Sequence, residues 1–266
     1  MIERTRGIPQ GVLVTLAVWL CRLVVIAAVI LFMQLAPGRW VSTFAVARPS
    51  AIAAVLGASA RDHSLYGYLV VTIYEAGIPF LLAAIFGILT AWLLWSAPRV
   101  RRRVAAYFTV GYATPRIIFL PLFILWIGVG TATVMLYVAI SVYFIFVFNT
   151  LEGFDSSGDQ LVGVLKVLGL GKVRICVTYL LPVARGYLLA ATLIGFPTAV
   201  LAVIIAEMLL GGGLGGWIQT EQGYFNVTGL YAATIAATIL VGALNMLVER
   251  TGSRIQKRLG DHGGGG

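Results

Sequence analysis

Leu69-Val70-Val71-Thr72-Ile73-Tyr74-Glu75-Ala76-Gly77-Ile78-Pro79-Phe80 opens an apolar run that continues through residues 81–95 (LLAAIFGILTAWLLW) and stops at Pro98-Arg99-Val100-Arg101-Arg102-Arg103. About 20 predominantly apolar residues in helical form cross the roughly 30 Å hydrocarbon layer of a bilayer. A basic cluster beside such a run marks its cytoplasmic end. One carboxylate, Glu75, interrupts the stretch. This segment therefore reads as a membrane-spanning helix.

Working outward, six spans can be drawn: residues 12–35, 69–95 with an interruption at Gly77-Ile78-Pro79, a third within 104–127 carrying Pro115 and Pro121, then 133–149, 187–210 with Pro197, and 228–248. Backbone groups in lipid must bond internally, so these segments are expected to be helices. The alternating pattern of a membrane barrel is absent. The composition agrees: 60% of the 266 residues are hydrophobic and 11% charged, with a mean hydropathy of +0.96, against about 25% charged in a soluble domain. The expected architecture is an all-α polytopic membrane protein with six transmembrane helices. Residues 1–11 form a cytoplasmic N-terminus, 12–250 a single transmembrane domain and 251–266 a cytoplasmic tail.

The net charge of +9 raises nucleic acid as a partner, but most of the 19 basic residues cluster beside apolar runs, as topology signals do. No nucleic-acid partner is expected. With the N-terminus in the cytoplasm, 14 basic residues fall inside and three (Arg39, Arg48, Arg61) outside, with Arg22 and Arg116 within spans. This places both termini in the cytoplasm. The run at 12–35 exceeds the core of a signal peptide, about 7–15 residues, and reads as a retained helix. Cys21 and Cys176 support neither a disulfide framework nor a metal site. The tail His262-Gly263-Gly264-Gly265-Gly266 reads as flexible.

The connections carry their own signals. Residues 97–103 read as a tight basic turn, and 36–68 as an outer, partly helical lid. Residues 151–186 place Leu161, Val164, Leu165, Leu168 and Ile175 at roughly helical spacing with charges between them. Two short amphipathic helices joined at Gly169-Leu170-Gly171 are expected there.

Catalytic motifs are missing. No GxxxxGK[ST] loop is present to cradle nucleotide phosphates, and no HExxH, GxSxG or paired carboxylates occupy one helix face. The GxGxxG formed by Gly211, Gly213 and Gly216 follows a membrane helix, not a strand. The chain is not expected to be an enzyme. Asn226-Val227-Thr228 matches a glycosylation acceptor by chance beside the sixth span.

Gly169 through Leu181-Pro182 resembles the cytoplasmic signature of binding-protein-dependent ABC permeases, E-A-A-x3-G-x9-I-x-L-P. The glycine, leucine and proline fall at the family spacing. Gly163-Val164-Leu165 replaces E-A-A, and Tyr179 takes the isoleucine position. Pro115-Arg116-Ile117-Ile118-Phe119-Leu120-Pro121-Leu122-Phe123-Ile124-Leu125-Trp126-Ile127-Gly128 resembles the P-x4-L-P-L-x-I-L-W-F-G stretch of nitrate/sulfonate/taurine-type permeases. Asn149-Thr150-Leu151-Glu152-Gly153 is similar to that group's N-T-x-x-G, expected at the end of the fourth helix. Ala206-Glu207-Met208, with Gly213-Leu214-Gly215 and Ile218, is similar to its A-E-M…G-L-G-x-x-I. The four matches stand in order across residues 69–250.

The resemblance implies a type I ABC importer permease in the bacterial cytoplasmic (inner) membrane, forming half of a pathway with a second permease copy or a paired permease. It implies two ABC ATPase subunits, which would hold the ATP and Mg, and an extracytoplasmic solute-binding protein. No cofactor is expected on this chain, and membrane lipid surrounds it. Residues 164–172 would centre a coupling helix docked into the ATPase. ATPase-coupling candidates are Gly163, Val164, Leu165, Gly169, Leu170, Gly171, Lys172, Leu181 and Pro182. Gly169 would permit a sharp turn, because glycine reaches positive φ without steric cost. Small oxyanions such as nitrate, sulfonates or taurine are the implied substrates. Related members take thiamine precursors, riboflavin or aromatic carboxylates.

Arg116, Asn149, Glu207 and Glu75 are the pathway candidates. Intramembrane charges are costly and face cavities or partners. Arg116 lies about 20 Å beyond Arg103 if a helix rises ~1.5 Å per residue, so it could attract an anion or snorkel to the inner interface. Glu207 could be a gate residue or an interfacial carboxylate, beside a re-entrant turn at Gly211–Gly216. Arg22 and Glu75 could pair or reach separate headgroup layers. Pro79, Pro121 and Pro197 could be hinges or static kinks. A secondary transporter or channel not powered by an ATPase remains the alternative, although it would be expected to carry more intramembrane ionisable residues.

Overall fold

A computed structural model of the protein describes the backbone of residues 10–260 and the side chains of residues 18–252 apart from residue 159. The first nine residues, with Arg4 and Arg6, and residues 261–266, with the glycine tail, lie outside the described residues. Every regular element among those described is helical. In order, α1 is Gln10–Leu35, α2 Pro49–Arg61, α3 Ser64–Ser96, α4 Pro98–Ala113, α5 Phe119–Ile127 and α6 Thr131–Asp155. Then come α7 Asp159–Val167, α8 Lys172–Ile175, α9 Leu181–Val183, α10 Arg185–Leu210, α11 Gly213–Gly223 and α12 Val227–Gly260. Five of these are long and apolar enough to cross a membrane, and six spans result if one bent pair counts as one.

That bent pair corrects the third span. It is not one helix: α4 and the segment Arg116–Ile127 meet at 87°. The cause is Pro115. A proline ring pushes the preceding residue out of the α region, and Thr114 is extended at φ −69°, ψ 131°. Thr114 closes α4 by bonding Val110 O through both its N–H (2.9 Å) and its Oγ1 (2.7 Å). The basic turn at 97–103 is likewise corrected. Only Ala97 breaks the chain between α3 and α4, and Pro98 occupies the first helical position, where a missing N–H costs nothing. Arg99 and Arg101–Arg103 therefore lie on a helix. Gly77-Ile78-Pro79 does not interrupt α3, and Pro197 sits inside a continuous α10. The fourth span runs on to Asp155, so Asn149–Gly153 lie within α6 rather than at its end.

The core is built by α3, α6 and α10. Phe80 meets Phe146 and Phe196 edge-on, at centroid distances of 5.6 and 5.3 Å, among Ala83, Val138, Val142, Ala199 and Val203. Small residues let the helices approach closely, as packing in lipid favours. A Cβ at Gly87 would lie 2.6 Å from Phe146 Cβ. A second cluster packs α2 against α11 and α12 through Ile52, Trp217, Ala233 and Ala236. The segment 36–68 is thus partly helical: residues 36–48 are irregular and α2 packs on α12. By contrast, no residue of Val18–Leu35 in α1 is buried. Gln34 joins its end to α2 through Ser50, at 3.0 and 3.2 Å.

Candidate functional site

Three places bring the candidate residues together. The first is the linker between α6 and α10, at the basic end of the bundle. Leu168, Gly169, Leu170 and Gly171 separate α7 from α8. Gly169 has φ +83°. Its N–H bonds Lys166 O at 3.0 Å, and Leu170 N–H bonds Leu165 O at 3.1 Å. These two bonds form the Schellman closure, which calls for a left-handed residue just past the helix end. A Cβ at Gly169, Gly163 or Gly171 would meet nothing within 4 Å. Backbone conformation, not crowding, therefore selects glycine at 169.

The linker is seated from behind and open in front. Val162, Ile175, Cys176 and Leu180 are buried with Leu94, Leu151 and Phe154. Lys172 Nζ donates to Ser96 O at 3.0 Å, and Lys166 Nζ sits 5.7 Å over the Trp95 ring. Tyr179 donates its hydroxyl to Ser157 O at 2.6 Å. Arg101 holds Asp155 in a two-pronged pair at 2.7 and 2.5 Å. The front presents Leu161, Val164, Val167 and Leu168, with exposures of 48–89%. These four side chains form an exposed apolar ridge at the basic end of the bundle. Leu181-Pro182 lies in α9, after a widened π turn at Cys176–Leu180. Pro182 has no N–H to return to residue 178 and its ring crowds that carbonyl, which the wider turn relieves.

The second place is the chain reversal after α10. Gly211, Gly212 and Gly213 take φ of +84°, +89° and +48°, folding α11 back beside α10. Glu207 is fully buried beneath this turn. It accepts from Thr72 Oγ1 at 2.8 and 3.0 Å and from Gly215 N–H at 2.9 Å, while Leu214 N–H donates to Thr72 Oγ1 at 2.9 Å. The carboxylate thus takes one free N–H of the α11 start, that of Gly215, and Thr72 takes that of Leu214, at a helix end where an acceptor is favoured. In the single chain Glu207 is fully enclosed and ties α11 to α3 through Gly215 and Thr72. Thr72 is the partner that sequence reasoning missed. A lone threonine in an apolar run was its only sign, and the bond spans 135 residues.

The third place surrounds Arg116. This residue begins a single 3-10 turn, Arg116–Ile118, directly after the 87° break. Its guanidinium lies 5.5 Å over the Tyr112 ring, and its buried Nε has no hydrogen-bond partner. With Tyr137 and Ser141 of α6 and Thr198 of α10 it lines an open cavity of about 340 Å³. Tyr137, Ser141 and Thr198 were also passed over, although polar residues four apart in an apolar run are a visible signal.

The remaining candidates stand elsewhere. Asn149 donates to Ile145 O of its own helix at 2.8 Å. Glu75 is 3% exposed on the inner face of α3, and its Oε2 is unpartnered. Of the two alternatives for Arg22 and Glu75, pairing does not form: Arg22 lies 5.1 Å over Trp19 on exposed α1.

The family model for the binding-protein-dependent transport system inner membrane component matches residues 83–261. A putative aliphatic sulfonates transport permease of Bacillus subtilis (strain 168) is 25% identical over 227 residues, 85% of this chain and 82% of that one. A nitrate import permease of Synechocystis sp. is 26% identical, covering 71% and 68%. A taurine transport system permease of Escherichia coli (strain K12) is 24% identical, covering 74% and 71%. An inward-facing structure of the MetNI methionine ABC transporter superposes with a TM-score of 0.56 at 20% identity, covering 73% of this chain and 93% of that one. That likeness is one of fold.

Proposed function

The chain belongs to the family of binding-protein-dependent transport inner membrane components, and from that premise we propose how its surfaces divide the work. The basic end faces the cytoplasm, where α7 and the turn at Gly169 seat against a separate ATPase subunit. Two such chains, or this one and a paired permease, enclose the pathway, each served by one ATPase. A solute-binding protein delivers cargo at the opposite end, near α2 and α11. Closure of the ATPases on ATP pushes the linker, and the helices of the bundle rock. The relatives named for sulfonates, taurine and nitrate support a small anion as cargo.

The observation that carries this reading is the ridge Leu161, Val164, Val167 and Leu168. It is apolar and exposed in front, yet locked behind by Lys172, Tyr179 and the Arg101–Asp155 pair. Such a surface transmits force rather than absorbing it. Co-purification of the chain with its ATPase from detergent is the test. Val164→Asp with Leu168→Asp should abolish the association while leaving the chain in the membrane. Retained ATPase in the doubly substituted chain would refute the assignment.

A further inference from the structure

We infer that Arg116, with Tyr137, Ser141 and Thr198, forms an anion-selecting site at the middle of the membrane. The inference rests on the proposed role of the chain as half of a pathway. Thr198 is the fourteenth of 26 residues in α10, about 20 Å from either end at 1.5 Å per residue. Tyr137 and Ser141 lie about 9–15 Å from the start of α6 by the same rise. A side chain sharing a cavity with all three sits well inside the hydrocarbon layer. Snorkelling to a headgroup therefore does not account for Arg116.

A charge at this depth is costly unless it meets a partner or water. No carboxylate lines the cavity, and Arg116 Nε makes no hydrogen bond. Ser141 and Thr198 return their own protons to Tyr137 O and Ile194 O, each at 2.8 Å. The guanidinium, covered on one face by the Tyr112 ring, is thus the one cationic donor among the lining residues, with the Tyr137 hydroxyl beside it. Its planar fork matches nitrate, carboxylate, bicarbonate or sulfonate oxygens. The cavity volume of about 340 Å³ suits a small solute, and its open side, bordered by exposed Ile117 and Leu201, leaves room for the second half of the pathway. The chemical class is a small monovalent oxyanion.

Charge-selective thiol labelling of the reconstituted transporter tests this without knowing the natural cargo. In a chain with Cys21→Ser and Cys176→Ser, Thr198→Cys is exposed to two methanethiosulfonates, one sulfonate-bearing and one trimethylammonium-bearing. Each rate is normalised to that on a small free thiol. The anionic reagent should react at least tenfold faster. Arg116→Gln should bring the ratio close to one, Arg116→Lys should keep most of it, and millimolar nitrate should slow the anionic reagent in the parent. No labelling by either reagent, or a ratio near one in the parent, overturns the proposal, as does a ratio that Arg116→Gln leaves unchanged. ATP-dependent uptake is measured on the same vesicles. A neutral ratio with ATP-driven import intact refutes the anion site alone, whereas a large ratio without ATP dependence refutes the importer reading alone.

Discussion

Replacing Gly169 with valine isolates the linker from the bundle. The left-handed conformation at φ +83° costs an L-residue about 1–2 kcal/mol, and a β-branched side chain sits at the upper end. The alternative is to leave that region and open the bonds to Lys166 O and Leu165 O, at about 1 kcal/mol each. Both routes cost about 2 kcal/mol, roughly a thirtyfold loss in the population of the closed linker. No atom lies within 4 Å of the added Cβ, so the core of α3, α6 and α10 should be untouched. The assay is uptake per ATP hydrolysed in proteoliposomes, beside expression level and thermal midpoint. Coupling should fall in the order Gly, Asn, Ala, Val, because asparagine tolerates the left-handed region. Gly163→Ala is the control. It adds a methyl in open space inside α7 and should stabilise that helix by up to about 1 kcal/mol. A Gly169→Val chain with wild-type coupling would refute the reasoning, as would a Gly163→Ala chain that uncouples equally.

Two other perturbations separate anchoring from surface contacts. Glu207→Ala strips the acceptor from Gly215 N–H and Thr72 Oγ1, and each buried orphan costs about 1–3 kcal/mol. The thermal midpoint in detergent should fall by several degrees, with Gln, which keeps one acceptor oxygen, losing clearly less; equal losses would remove Glu207 from its anchoring role. Arg101→Ala should cost no more than about 1 kcal/mol, since both partners of the pair are partly exposed. The exchange Arg101→Asp with Asp155→Arg should recover the coupling ratio that either single change lowers, and no recovery would show that the pair does not hold the linker.

The spans were readable because lipid selects long apolar runs, and residues 69–95 carry that signal without help. The linker was readable because its apolar spacing breaks at a Gly-Leu-Gly that no helix interior needs. What stayed hidden depends on distant partners. Glu207 reads identically whether it faces a channel or caps a helix start, and only Thr72, on another span, decides. Asn149 reads as a helix end because its motif is polar, yet residues 149–155 keep the α6 face that buries Leu151 and Phe154. Arg22 and Glu75 invited pairing by opposite charge, but α1 stands off the core and leaves them apart.

Arg116 shows where counting along the chain misleads. Thirteen residues of helix from Arg103 give about 20 Å of rise, deep enough to attract an anion, whereas a span starting late, near Pro115, would leave the arginine to snorkel to the inner interface. The 87° break shortens that count: α4 ends at Ala113, so only about 15 Å of the rise from Arg103 lies along one axis. Depth must instead be read from the neighbours, and these agree. The nine residues of α5 climb about 13 Å at 1.5 Å each, close to the distance from Tyr137 and Ser141 to the start of α6. Pro115 thus does more than end α4. By turning the chain directly before Arg116 it brings the guanidinium against Tyr112 and beside Tyr137, Ser141 and Thr198.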